Sequence, residues 1–193
     1  MVSTARTWVI GSLLLALAVQ VQAQAADGTL WRSVETCQKV VKKHVTLAES
    51  TISSTLQQLA ESNSTMEALV RRWGSLVAAT RPESRPLVDN CLATFHNKTE
   101  TVGIRLEDAL RKSLTDQVLW YDSEIFGLLT DALSEEGEAG IVQTVKSNLE
   151  PALQRFGSMA VSALKQAVKD LKKPYQTVAQ CIRELELKYH PSI

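Results

Sequence analysis

The sequence predicts an all-α protein, an antiparallel bundle of three long, kinked amphipathic helices with a short C-terminal helix. Three observations predict it. Apolar residues recur about every 3.6 positions through three successive stretches, the period of one helix face. No segment alternates as a strand does. Clear breakers fall between the stretches, although the 193 residues hold only 8 glycines and 5 prolines.

The first face runs Leu30, Val34, Cys37, Val41, Val45, Ala48, Ile52, Leu56 and Leu59, with Arg32, Glu35, Lys39, Lys42, Lys43 and Glu49 as its solvated side. Ser64-Thr65-Met66-Glu67 reads as a capping box opening a further turn that carries Met66, Leu69, Val70, Trp73, Leu76 and Val77. Thr80 to Pro86 is a break, because its two prolines cannot both sit inside one helix. The second pattern begins at Leu87 and passes Val88, Cys91, Phe95, Leu106, Leu110, Leu114, Val118 and Tyr121 toward Ala132, with Gly103 and Asp122-Ser123 as places to bend. Ser134 to Gly140 forms the next turn. The third pattern runs Val142 to Leu171, with Pro151 marking a kink or a restart at Asn148. Pro174 breaks it, and Val178, Ile182, Leu185 and Tyr189 make the last helix.

The N-terminus speaks to compartment. Arg6 precedes an apolar run from Trp8 to Val19, and small residues stand at Ala23 and Ala25. Residues 1–25 therefore read as a secretory signal peptide cut after Ala25, or alternatively after Ala23, leaving 26–193 as one domain. Such a run spans about 18 Å as helix, short of the ~30 Å needed to cross a bilayer. The expected protein is secreted, extracellular and without a transmembrane anchor. Asn63-Ser64-Thr65 and Asn97-Lys98-Thr99 fit the N-glycosylation rule. Asn97 should be exposed. Asn63 falls on the apolar stripe, so either Ser62 to Ser64 interrupts the helix or that acceptor goes unused.

Cys37, Cys91 and Cys181 suit one bridge plus an odd thiol. If the helices run up, down and up, Cys181 comes opposite about position 93, within about one turn of Cys91. A Cys91–Cys181 disulfide is expected, leaving Cys37 free or available for a disulfide-linked dimer. Cys37–Cys181 is the competing pairing if a hairpin forms at Asn63.

Composition excludes several functions. Lys+Arg and Asp+Glu both number 21, which gives no basic surface for nucleic acid. The three histidines, His44, His96 and His190, form no metal-ligand spacing, and the chain has no GxSxG, P-loop or GxGxxG. No enzyme activity, cofactor or metal is expected, and His44 reads as a partly exposed structural histidine. Glu135, Glu136 and Glu138 make a solvated acidic turn, since the calcium-loop pattern is absent. Lys165, Lys169, Lys172 and Lys173 recur at i, i+4, i+7 and i+8 and share one face, a candidate contact for an anionic surface; an ordinary solvated face is the commoner fate. Trp31, Trp73 and Trp120 are candidate partner anchors or, more commonly, core filling.

Two non-enzymatic functions are consistent with this pattern. The protein is a closed bundle that binds an extracellular protein or other ligand, or its amphipathic helices open onto lipid as in exchangeable apolipoproteins. A disulfide between helices favours the first. The signal peptide, helical chain, acceptors at Asn63 and Asn97 and sparse Cys37, Cys91 and Cys181 resemble small secreted insect proteins of the TsetseEP-domain type. The resemblance covers most of the mature chain and lies in general layout. It implies extracellular location and no specified chemistry.

Overall fold

The computed structural model describes residues 28–132 and 138–189. The expected signal peptide, the centre of the Ser134–Gly140 turn, His190 and the Trp31 side chain lie outside the described residues. Helices account for nearly everything described: α1 (Gly28–Thr80), a 3-10 turn (Pro82–Ser84), α2 (Arg85–Ala132), α3 (Glu138–Asp170) and α4 (Lys172–Tyr189). The three long helices pack against each other, and no strand occurs among the described residues.

Helix α1 departs from expectation, since it passes through Asn63 without interruption. The capping box is not formed. Ser62 Oγ donates to the Gln58 carbonyl and Ser64 Oγ to the Glu61 carbonyl, both at 2.8 Å. Hydroxyls turned back onto the preceding turn leave the ladder intact, so serine here decorates a helix and does not start one. Glu67 pairs forward with Arg71 at 2.6 Å. Like Glu35–Lys39 and Glu107–Arg111, this is an i,i+4 pair with the acid N-terminal, the order that suits the helix dipole.

The break at the two prolines is sharp. Pro82 has no N–H to continue α1, and the chain turns on the Arg81 carbonyl, which accepts from Ser84 N–H (2.9 Å) and Ser84 Oγ (2.7 Å). Ser84 is wholly buried, while Pro86 sits in the first turn of α2, where a missing donor is harmless. Neither Gly103 nor Asp122-Ser123 interrupts α2. Pro151 lies inside α3 and starts no new helix. It deprives the Ser147 carbonyl of its i+4 donor, and beside that gap Tyr121 Oη donates to the Asn148 carbonyl at 3.2 Å. The last break falls at Leu171, ahead of its expected place, with Pro174 buried in the first turn of α4.

The described residues fall into two compact units, each taking pieces of the long helices. The first comprises residues 28–49 with 113–132 and 138–157. Its core sets Cys37 and Val41 of α1 against Tyr121 of α2 and Val145, Leu149 and Ala152 of α3. The second comprises Ser50–Lys112 with 158–189. There Val70 and Val77 of α1 meet Val88, Cys91 and Phe95 of α2 and Val178 and Ile182 of α4. Gly74 permits that approach, because a Cβ there would lie 2.9 Å from Val88 Cγ1.

Cys91 and Cys181 are bonded across this second core, with Cα atoms 6.1 Å apart. Cys37 is free and only 1% exposed, and burial pushes its thiol up. Of the two expectations for Cys37, the free thiol is what the structure holds; a bond to a second chain would require the first core to open.

Candidate functional site

The buried ridge of α1 is Cys37, Val41, His44, Ala48, Ile52, Thr55 and Leu59. Its spacing is as regular as the predicted one, but it takes His44 and Thr55 in place of Val45 and Leu56, which end half-buried. Neighbouring positions on a helix differ by about 100°, and the partner helices choose between them. Polar side chains thus enter the interior. Thr55 Oγ1 satisfies itself on the Thr51 carbonyl (2.7 Å), and Thr99 Oγ1 of α2 on that of His96 (2.9 Å).

His44 has no such recourse. Expected to be partly exposed, it is only 5% exposed, with its ring edge-on to Tyr121 at 5.6 Å between centroids. Among the described residues, His44 Nε2 and Gln117 Oε1 are the buried side-chain polar atoms without a hydrogen-bond partner. Burial pushes the imidazole pKa below its ordinary value, and the Gln117 side chain, close enough to hydrogen-bond the ring though poorly aligned for it, offsets this only in part. Burial likewise raises the Tyr121 hydroxyl, partly offset by Arg155, so it stays a donor to Asn148. Sequence reasoning missed Gln117, although its place three residues after Leu114 and four before Tyr121 puts it on the apolar stripe of α2.

His44 also lines a groove of about 480 Å³ on the first unit. Val40, Lys43, His44 and Leu47 of α1 follow at i, i+3, i+4 and i+7 and form one wall. The other comes from α3, where Leu149 is buried and Leu153 half-buried, while Gln143, Lys146, Ser147 and Glu150 are exposed. Polar and apolar groups share this trough: Val40, Leu47, Leu149 and Leu153 lie among His44, Gln143 and Ser147, with cations on both sides, Lys43 and Lys146, and one acid, Glu150.

A second groove of about 420 Å³ lies on the second unit. Leu56, Leu59, Ala60 and Asn63 of α1 face Thr99, Gly103 and Ile104 of α2, with Glu100 and Glu107 alongside. No atom lies within 4 Å of where a Gly103 Cβ would be, so the glycine leaves open space. Asn63 is half-buried in this wall, whereas Asn97 is exposed.

The remaining predicted residues are dispersed. Lys165, Lys169, Lys172 and Lys173 are all exposed at the end of α3 and start of α4. Trp73 packs against the second core, and Trp120 is 46% exposed with its edge on Tyr121. Among the described residues no three His, Cys, Asp or Glu side chains gather as a metal would require, and no helix is long and apolar enough to cross a membrane. No family model matches the chain, and no curated protein or solved structure matches it.

Proposed function

We propose that the protein is secreted and non-enzymatic, an antiparallel helical bundle that binds an extracellular protein or other ligand through the groove of its first unit. His44 carries this reading: a buried histidine whose Nε2 makes no well-formed hydrogen bond, Gln117 being only an off-geometry partner, and which lines a trough that Val40, Leu149 and Leu153 also wall. The buried hydroxyls of Thr55, Ser84 and Thr99 all find acceptors. A concave surface that mixes apolar side chains with polar and charged ones suits a ligand that is itself part apolar and part polar. The volume favours a small amphipathic molecule, apolar along the trough, with its polar end between Lys43 and Lys146. Residues 1–25, read as a signal peptide, and the exposed acceptor Asn97 support an extracellular address. We assign the glycan to Asn97 and leave Asn63 unused, since α1 does not break there. The layout resemblance to TsetseEP-domain proteins is in keeping with this address.

The alternative is an apolipoprotein-like protein whose helices open onto lipid. Exposed Leu69, Leu76 and Ile104 favour it. The Cys91–Cys181 bond opposes it in the second unit, because it ties α2 to α4.

Organic extraction of the purified native protein, followed by mass spectrometry, tests the groove. A co-purifying amphiphile should be retained by wild type and lost from Leu47→Glu, which charges an exposed position of the wall, and from His44→Leu. Retention by both variants would refute the assignment.

A further inference from the structure

The end of α3 and the start of α4 carry a face used by neither the second core nor the groove beside it. Val161, Lys165, Val168 and Lys172 follow at i, i+4, i+7 and i+11, an arc of about 60° at 100° per residue. The one-residue interruption at Leu171 hardly disturbs this line. Leu171 N–H donates to the Ala167 carbonyl at 3.0 Å and Tyr175 N–H to that of Leu171 at 3.2 Å, so the ladder continues. Lys169 and Lys173 lie to one side of this line, about 70° and 110° from its centre.

All four lysines are exposed, Val161 is 53% exposed and Val168 37%. The ion pairs among the described residues, Glu35–Lys39, Glu67–Arg71 and Glu107–Arg111, include none of them. Asp170, the acid nearest in sequence, accepts instead from Gln166 Nε2 at 2.8 Å. Ala160 and Ala167 turn the other way and are buried, so α3 keeps its core covered while this side faces out.

Neither half of the pattern would call for a partner alone. Single exposed valines are ordinary, and lysines usually face water. Interleaved on one stripe, cations without a fixed counter-charge and bare β-branched side chains match the interfacial face of a membrane-surface helix.

We propose that this face docks the folded protein onto a lipid surface bearing anionic headgroups. The lysines lie at headgroup level, and Val161 and Val168 enter the boundary beneath. A soluble polyanion would satisfy the lysines but leave the valines in water, so the lipid surface fits both halves. Docking needs no opening of the helices, which separates it from the apolipoprotein alternative. It is also independent of the groove.

Vesicle flotation of the purified full chain, disulfide intact, tests it. Vesicles of phosphatidylcholine mixed with phosphatidylserine should carry the protein at low salt, and phosphatidylcholine alone should not; high salt should release it. The Lys165→Gln, Lys169→Gln, Lys172→Gln, Lys173→Gln variant should partition at least about tenfold less, all four changes being on exposed positions. Val161→Ser with Val168→Ser should lower partitioning several-fold while leaving retention on immobilised heparin unchanged. His44→Leu should bind vesicles as wild type does, which separates this outcome from any failure of the groove. Equal binding to both vesicle types would overturn the proposal, as would an unaffected lysine variant. Retention on heparin without flotation would overturn it too, by making the stripe a polyanion site.

Discussion

Replacing Gly74 by alanine sets two sizeable effects against each other. In a helix interior the change should stabilise by about 0.8–1 kcal/mol, since glycine gives up more backbone freedom on folding. The new Cβ, however, would stand 2.9 Å from Val88 Cγ1, with Leu92 Cδ1 and Ile182 Cδ1 at 3.6 and 3.7 Å. Comfortable carbon contacts begin near 3.5 Å. Val88 cannot swing aside, because it is 2% exposed and a β-branched residue in a helix has essentially one χ1 rotamer. Overpacking of this kind costs about 1–3 kcal/mol. The sum is a destabilisation of about 1 kcal/mol. Gly103, in the same unit, has nothing within 4 Å of its virtual Cβ, so Gly103→Ala should stabilise by up to about 1 kcal/mol. Urea denaturation of both variants, disulfide intact, should therefore place their midpoints on opposite sides of wild type. Adding Val88→Ala should convert the Gly74→Ala penalty into a gain, measured as a double-mutant cycle. Equal midpoints for the two glycine variants would refute the reasoning, and so would a cycle without coupling.

Reducing the Cys91–Cys181 bond, or replacing both cysteines by alanine, should cost roughly 2–4 kcal/mol, below the ceiling of about 4.6 kcal/mol that chain entropy alone sets for a separation of 90 residues, read as a fall in melting temperature. Tyr121→Phe removes the donor to the Asn148 carbonyl and should cost about 1 kcal/mol, with earlier hydrogen exchange around Pro151 as the local readout. His44 should make stability depend on pH. Burial depresses its folded pKa, so below about pH 6.5 the unfolded chain binds the proton more readily. Stability is then fully present above that pH and declines as pH falls toward the folded value; His44→Leu should flatten the decline, measured as urea midpoints from pH 7.5 downward. In the native thiol, Cys37 should resist alkylation until denaturant opens the first core, since it is buried and its pKa raised.

Much of the architecture could be read from local chemistry. Period-3.6 apolar stripes announce helices because only one face of each can be buried. Pro82 ends α1 because it lacks the N–H the next turn needs. The proximity of Cys91 to Cys181 followed from counting residues away from the turns. Other features were open to local signals that pointed the wrong way. Ser64 to Glu67 has the composition of a helix start, yet a hydroxyl can bond either to a free N–H ahead or to a carbonyl behind. Continuous packing of α1 against its neighbours selects the second.

What the sequence determined by itself is the set of helices and the proline-marked end of α1, because hydrogen-bond supply and side-chain period act over a few residues. Which residues face inward was decided by tertiary structure. Adjacent positions lie about 100° apart, so a stripe containing Val45 and Leu56 and one containing His44 and Thr55 are equally helical until a neighbouring helix arrives. That choice buried His44, left its Nε2 and Gln117 Oε1 without well-formed hydrogen bonds, and placed the imidazole at the wall of a groove. Grooves have no local signal, since their walls are contributed by helices far apart in the chain and their shape exists only once those helices pack.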